Sequence, residues 1–169
     1  MALFDSDAGA LFYEDHGSGD PPLVFVHGLA CAHEDWRHQL GYFSSSRRVV
    51  CLDLRGHGRS AGCSSGFDIV SFGADVAALI TELRLPAVLL VGHSMGCRVV
   101  LERARIAPQH VAGLVLIDGS RFAATSADAA RRAVQHAIQT SGYDAFFCLF
   151  YPSAPAADDD PRTLCRRRN

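Results

Sequence analysis

Short apolar runs alternate with longer segments of helical spacing along about the first 120 residues of the chain. Alternation of this kind is typical of an α/β fold, in which a mostly parallel sheet is flanked by helices. Several of the runs are rich in branched residues and carry no internal polar position, as expected for strands buried on both faces. The predicted strands are residues 11–14, 23–26, 48–52, 88–91 and 111–117.

Three segments between these strands carry apolar residues at the spacing of a helix. The first is predicted to begin at about His33, and the second has its apolar stripe within residues 72–83. The third follows residue 94, and its spacing predicts that Met95, Val99 and Ile106 are buried. The helices therefore lie between consecutive strands, where the crossovers of a parallel sheet belong.

The pattern changes beyond residue 120. An amphipathic helix is predicted at 128–139, an apolar and aromatic cluster follows at 146–151, and residues 152–161 have the composition of coil. No further strand follows, so the predicted sheet ends at 111–117 with an uncovered edge, which natural proteins avoid. We therefore expect a core at 1–120, a different unit at 121–169, and a chain truncated before its last strands.

Composition and charge exclude several classes of function. The 169 residues suffice for one domain with a real core, and a formal charge of -2 gives no sign of a nucleic-acid partner. No apolar run reaches membrane-spanning length, and the N-terminus does not resemble a secretory signal, so a cytoplasmic protein is predicted. The six cysteines show no C-x-x-C spacing, so no metal or other cofactor is implied.

Three motifs follow three of the predicted strands. They read V-H-G-L at 26–29, D-L-R-G-H-G-R-S at 53–60 and G-H-S-M-G at 92–96. The last fits G-x-S-x-G, which places a serine on a sharp turn between a strand and a helix. A serine hydroxyl is a poor nucleophile, so it must be exposed beside a base, with backbone donors ready for the oxyanion. The motif therefore points to Ser94 as a nucleophile.

Together the motifs resemble the α/β-hydrolase fold superfamily, in particular its esterase-like and perhydrolase-like enzymes with a helical cap. The resemblance covers about residues 10–120 and implies a serine hydrolase that acts on a small-molecule ester or related acyl substrate. It implies that residues 121–169 begin a cap and continue into a disordered tail. It implies no cofactor, and it leaves the exact substrate and the oligomeric state open.

The resemblance also assigns roles around Ser94. The backbone N–H groups of Leu29 and Met95 match the two oxyanion donors. Met95 lies at the N-terminus of the predicted helix, where the helix dipole favours negative charge. Gly28, His27 and His93 are the predicted substrate-binding residues. Within this set, Gly28 allows close approach and His27 holds its loop by hydrogen bonds. His93 adjoins the nucleophile and points away from it, so a structural role is favoured over catalysis. Residues 53–60 are implied to form a structural loop.

The acid and the base of the expected triad are the open question. The implied order is serine, then acid, then histidine, and the only histidines after Ser94 are His110 and His136. His110 is expected at the opposite face, which leaves Asp118 as a candidate acid and His136 as a candidate base. The resemblance places both groups after the cap, so their absence from this chain is favoured. An active hydrolase, a truncated inactive fragment and a non-catalytic binding protein remain as alternatives.

Overall fold

A six-stranded sheet forms the centre of the computed structural model, which describes residues 2–63 and 65–119. In chain order its strands are β1 (Ala2–Ser6), β2 (Gly9–His16), β3 (Leu23–Val26), β4 (Val49–Leu52), β5 (Val88–His93) and β6 (Val111–Ile117). Across the sheet the order is β1-β2-β4-β3-β5-β6. β2 pairs antiparallel with β1 and β4, whereas β4, β3, β5 and β6 run parallel to one another. The predicted α/β fold with a mostly parallel sheet is confirmed.

Three α-helices connect the parallel strands. They are α1 (Arg37–Phe43), α2 (Ile69–Glu82) and α3 (Met95–Ile106), with short 3₁₀ turns at His33–Trp36, Gly58–Ser60 and Pro108–His110. Asp68 is the N-cap of α2, and its carboxylate accepts a hydrogen bond from the backbone N–H of Ser71 at 2.9 Å. No helix among the described residues is long and apolar enough to cross a membrane.

The sheet buries apolar side chains on both faces. Val24 and Val26 of β3 belong to the larger core cluster, which includes residues of α2 and α3. Leu23 and Phe25 alternate with them and belong to a second cluster around Trp36, on the side of α1. Because successive side chains of a strand point to opposite faces, a strand buried on both sides has no polar position. This explains why β3 reads as a continuous apolar run.

The first strand was not predicted. β1 pairs with β2 from Ala2 opposite Tyr13 to Ser6 opposite Gly9, which makes an antiparallel hairpin at one edge of the sheet. Of the five residues of β1, only Phe4 is buried, so the segment lacks the apolar run that marks the central strands. Its strand conformation depends on pairing with β2 more than on its own composition.

The burial predicted for the third helix is wrong at its C-terminal end. Ile106 is 40% exposed, whereas Arg103 is only 1% exposed. The inward stripe of α3 runs through Gly96, Val99, Val100 and Arg103, which are spaced as neighbours on one helix face. Arg103 fits there because its Nη1 donates to the carbonyl oxygen of Ala107 at 2.6 Å, where the helix dipole favours positive charge.

The last predicted strand exists but is less buried than its sequence indicates. The side chains of β6 from Leu114 to Ile117 are 38–44% exposed. Among the described residues β5 is the only strand that pairs with β6, so β6 lies at the edge of this sheet. An apolar run thus identifies β6 as a strand, but the burial of its side chains depends on which elements pack against it.

A buried arginine joins three parts of the fold. The Arg55 side chain is 3% exposed and binds the equally buried Asp75 of α2 through two hydrogen bonds of 2.6 and 2.5 Å. Its Nη2 also lies 2.7 Å from the carboxylate of Asp7, which is 85% exposed, and Nη1 donates to the carbonyl of Ser65. Arg55 therefore links the loop after β4 to α2 and to the turn between β1 and β2.

The two carboxylates that bind Arg55 are expected to differ in their contribution to stability. Removing the charge in Asp75→Asn leaves a buried guanidinium without its main partner and should cost about 3–5 kcal/mol. The matched variant Asp7→Asn removes an exposed partner and should cost less than about 1 kcal/mol. Urea unfolding of both variants measures the difference, and equal costs would contradict this account of Arg55.

Candidate active site

The turn between β5 and α3 holds Ser94 in a strained conformation. Its backbone has φ 50° and ψ −115°, although a residue with a side chain rarely adopts positive φ, and the residue is exposed. β5 ends at His93 and α3 begins at Met95, so the strand, the turn and the helix follow one another directly. This arrangement presents the Ser94 hydroxyl at the carboxyl edge of the sheet, as a nucleophile requires.

The two glycines of the motif are required by close packing. A Cβ on Gly92 would lie 2.6 Å from the carbonyl carbon of Gly96, so the turn has no room for a side chain there. A Cβ on Gly96 would collide with the carbonyl oxygens of Val26 and His27 at the end of β3. The first turn of α3 therefore lies directly against the end of β3, which brings Ser94 to the loop after that strand.

The loop after β3, called the glycine loop below, lies on the other side of the site and contains Gly28 and Leu29. A Cβ on Gly28 would lie 3.1 Å from the Cβ of Ser94, so a side chain there would fit only if one of the two residues shifted by a few tenths of an ångström. Cys31 N donates to Gly28 O at 3.3 Å, which closes a turn around Leu29. Met95 is the first residue of α3, where backbone N–H groups have no carbonyl within the helix. Ser94, Gly28, Leu29 and Met95 are thus brought together.

His27 holds this loop from beneath. Its Nε2 accepts a hydrogen bond from Leu54 N at 3.0 Å, so its Nδ1 carries the proton and donates to Gly28 O at 2.7 Å. Burial, together with the nearby His57, lowers the pKa of His27 to about 3. Since the ring is neutral and both nitrogens are engaged, His27 orients the loop and does not accept a proton from Ser94.

His93 lies beside the same loop. Its Nδ1 would be 3.3 Å from a Cβ on Gly28, and its ring meets that of Trp36 edge-on at 6.4 Å. Trp36 in turn packs on Phe25 of β3 with the ring centres 4.8 Å apart. His93 is therefore placed to support the glycine loop from the side of α1.

The candidate acid lies next to the turn that holds Ser94. Ser94 N donates to Ile117 O at 2.9 Å, and Asp118 follows Ile117 with a positive φ of 47°.

His110 lies at the other end of β6, so it is remote from Ser94. Among the described residues no side chain hydrogen-bonds to the Ser94 hydroxyl or to the Asp118 carboxylate. His136 and the predicted elements at 128–139 and 146–151 lie outside the described residues.

Residues 53–60 form a loop organised by the buried Asp53 carboxylate. It accepts hydrogen bonds from the backbone N–H groups of His33 at 2.7 Å and Arg59 at 2.9 Å, and from His33 Nδ1 at 2.9 Å. Burial alone would raise the pKa of Asp53, but the hydrogen bonds from His33 and Arg59 outweigh it and lower the pKa. Sequence reasoning missed His33, because no motif connects it to a carboxylate 20 positions away.

The chain is similar in sequence to a known fold family. The profile of the alpha/beta hydrolase fold matches residues 21–159, which include the glycine loop, the Asp53 loop and the Ser94 turn. The chain belongs to the α/β-hydrolase fold family. The matched residues include the strand, the turn and the helix around Ser94.

Relatives of this α/β-hydrolase chain include the non-heme chloroperoxidase of Streptomyces lividans. It is 43% identical over 115 residues, which are 66% of this chain and 42% of the relative. The non-heme haloperoxidase of Rhodococcus erythropolis is 42% identical over 65% of this chain and 39% of its own length. The chain therefore spans less than half of these relatives. A solved thermophilic esterase from Thermogutta terrifontis matches with a TM-score of 0.78 and 28% identity, over 88% of this chain and 56% of the esterase.

Substitution of the glycine at the start of α3 is expected to disturb the turn that holds Ser94. Gly96→Ala places a methyl group against the carbonyls that end β3, and such overpacking should cost about 1–3 kcal/mol. Gly41→Ala is the matched control, since a Cβ there meets nothing within 4 Å, and alanine should stabilise α1 by up to about 1 kcal/mol. Urea unfolding compares the two variants, and a Gly96→Ala protein as stable as the parent would refute the packing argument.

Proposed function

We propose that Ser94 is the nucleophile of a serine-dependent hydrolase that acts on a carboxylic ester or a related acyl compound. The observation that carries the proposal is the strained backbone of Ser94, which exposes its hydroxyl between the glycine loop and the first turn of α3. A tight turn without catalytic duty has no need of a serine at positive φ, because glycine adopts that conformation without strain.

The proposed reaction has two steps. Ser94 Oγ attacks the carbonyl carbon, its proton passes to a general base, and the C–O bond to the leaving alcohol breaks as that base returns the proton. Water then attacks the acyl carbon while the base takes its proton, the C–O bond to Ser94 Oγ breaks, the carboxylic acid leaves, and the base returns the proton to Oγ. In both steps the negative oxygen accepts hydrogen bonds from the N–H groups of Leu29 and Met95. The N-terminal dipole of α3 adds to this stabilisation.

The name of one structural relative agrees with this chemistry. One solved structure of the same fold is named an esterase, and an acyl substrate suits a site that offers a serine beside backbone donors. The substrate is proposed to be a small molecule, bound over Gly28 beside His27 and His93.

Asp118 and His136 are the candidates for the catalytic acid and the general base. Asp118 is a candidate acid because it lies at the end of β6, next to the strand end that receives the Ser94 N–H. His136 is a candidate base on its position in the sequence alone. No described side chain hydrogen-bonds to the Ser94 hydroxyl, and the order of acid and base in the family places both after the cap, so we favour an acid and a base other than these two.

A fluorophosphonate probe tests the nucleophile, because it phosphonylates serines whose oxyanion site and hydroxyl are activated. Labelling of the parent chain, placed on Ser94 by mass spectrometry, is the result that an activated nucleophile would give. Ser94→Ala should label at less than about one hundredth of the parent rate. Equal labelling of the two proteins would refute an activated Ser94.

The same assay examines the other two residues and the competing function. We expect Asp118→Asn and His136→Gln to label within about twofold of the parent rate, and a drop of about a hundredfold in either would contradict this expectation. Turnover of p-nitrophenyl acetate is measured in parallel. A parent chain that binds short esters without turnover and resists the probe would favour a non-catalytic binding protein of the same fold.

A further inference from the structure

A cluster of possible metal ligands lies at the carboxyl end of β4, outside the site around Ser94. His33 Nδ1 is 2.9 Å from Asp53 Oδ2 and 3.4 Å from a carboxylate oxygen of Glu34. One ligand atom from each of the three residues lies within 4.8 Å of the others. We propose that His33, Glu34 and Asp53 form a binding site for a divalent transition-metal ion of the zinc class.

The distances agree with a shared ion. Nitrogen and carboxylate ligands lie about 2.0–2.2 Å from zinc, so neighbouring ligand atoms in a tetrahedral or octahedral site are separated by about 3.0–3.4 Å. The two separations from His33 Nδ1 are close to this range. The ion would replace the proton that now lies between His33 Nδ1 and Asp53 Oδ2, and it would lie to one side of the line that joins these two atoms. The remaining separation, between the two carboxylates, is within 4.8 Å and would have to shorten on binding of the ion.

The surroundings of the cluster resemble the outer shell of a metal site. Ligating carboxylates are usually held by further hydrogen bonds, and the Asp53 carboxylate accepts two from the backbone N–H groups of His33 and Arg59. A ligating histidine usually presents its other nitrogen to a carboxylate. Here His33 Nε2 lies 3.8 Å from Glu14 Oε1. This outer carboxylate, contributed by β2, is an observation independent of the three ligands.

Charge and access also favour a cation. Three carboxylates, of Glu14, Glu34 and Asp53, surround the single imidazole of His33, so these four groups carry net negative charge in either protonation state of the ring. Asp53 is fully buried, whereas Glu34 reaches the surface and offers an entry path. One imidazole with two carboxylates suits zinc, cobalt, nickel or manganese better than calcium, which prefers oxygen ligands alone. Water would complete the coordination.

Zinc binding to the purified, tag-free chain tests the site directly. Isothermal titration with ZnCl₂ alone should give saturable binding of one ion per chain. Glu34→Gln, which removes an exposed ligand without touching the core, should raise the dissociation constant by about tenfold or more. Asp35→Asn is the matched control, because it changes the neighbouring carboxylate in the same turn and should bind as the parent does.

A second measurement identifies the histidine. In long-range ¹H–¹⁵N spectra of the imidazole rings, zinc should shift the Nδ1 resonance of His33, assigned from a His33→Gln variant shown to be folded by circular dichroism. Absence of saturable binding would overturn the proposal. Equal affinities of the Glu34→Gln variant and the parent would overturn it as well, and so would a shift confined to other histidines. None of these outcomes depends on whether Ser94 is active.

Discussion

The close approach of α3 to the carboxyl ends of β3 and β5 is the constraint on which the rest of the site depends. It requires glycine at residues 92 and 96, because a side chain at either would collide with backbone. Given this contact, the chain can connect β5 to α3 only through a sharp turn, and Ser94 takes the positive φ that results. The strain at Ser94 is thus held by the packing of a strand and a helix, both of which are stabilised by burial in the core.

Buried polar groups hold the loops at this edge of the sheet in place. His27, Asp53, Arg55 and Ser60 are each almost fully buried, and each makes hydrogen bonds to loop backbone or to an opposite charge. An unpaired polar group costs far more in such surroundings than at the surface, so these bonds allow few alternative loop conformations. The glycine loop beside Ser94 therefore rests on a rigid base. The same network gives His33 and Asp53 their proximity.

Much of the fold could be predicted because local pattern and burial coincide in the central strands. β3, β4 and β5 are buried and nearly all apolar, so their positions were evident from the sequence. The edges were harder, because β1 becomes a strand by pairing with β2, and β6 is apolar yet exposed among the described residues. Ile106 was wrongly predicted to be buried, and Arg103 is buried instead because a long side chain can lie along a buried face and still bring its charge to a helix end.

The order of the central strands and helices could be predicted from the amino-acid sequence, and so could the position of Ser94 between a strand and a helix. These features follow from residues close together along the chain, whose apolar spacing and glycines restrict the backbone locally. In contrast, no local pattern predicts that His27 is neutral with both nitrogens engaged, that Arg55 pairs with Asp75, or that His33 meets Asp53. These partners lie 20 or more positions apart, and it is the packing of the loops on the sheet that brings them together.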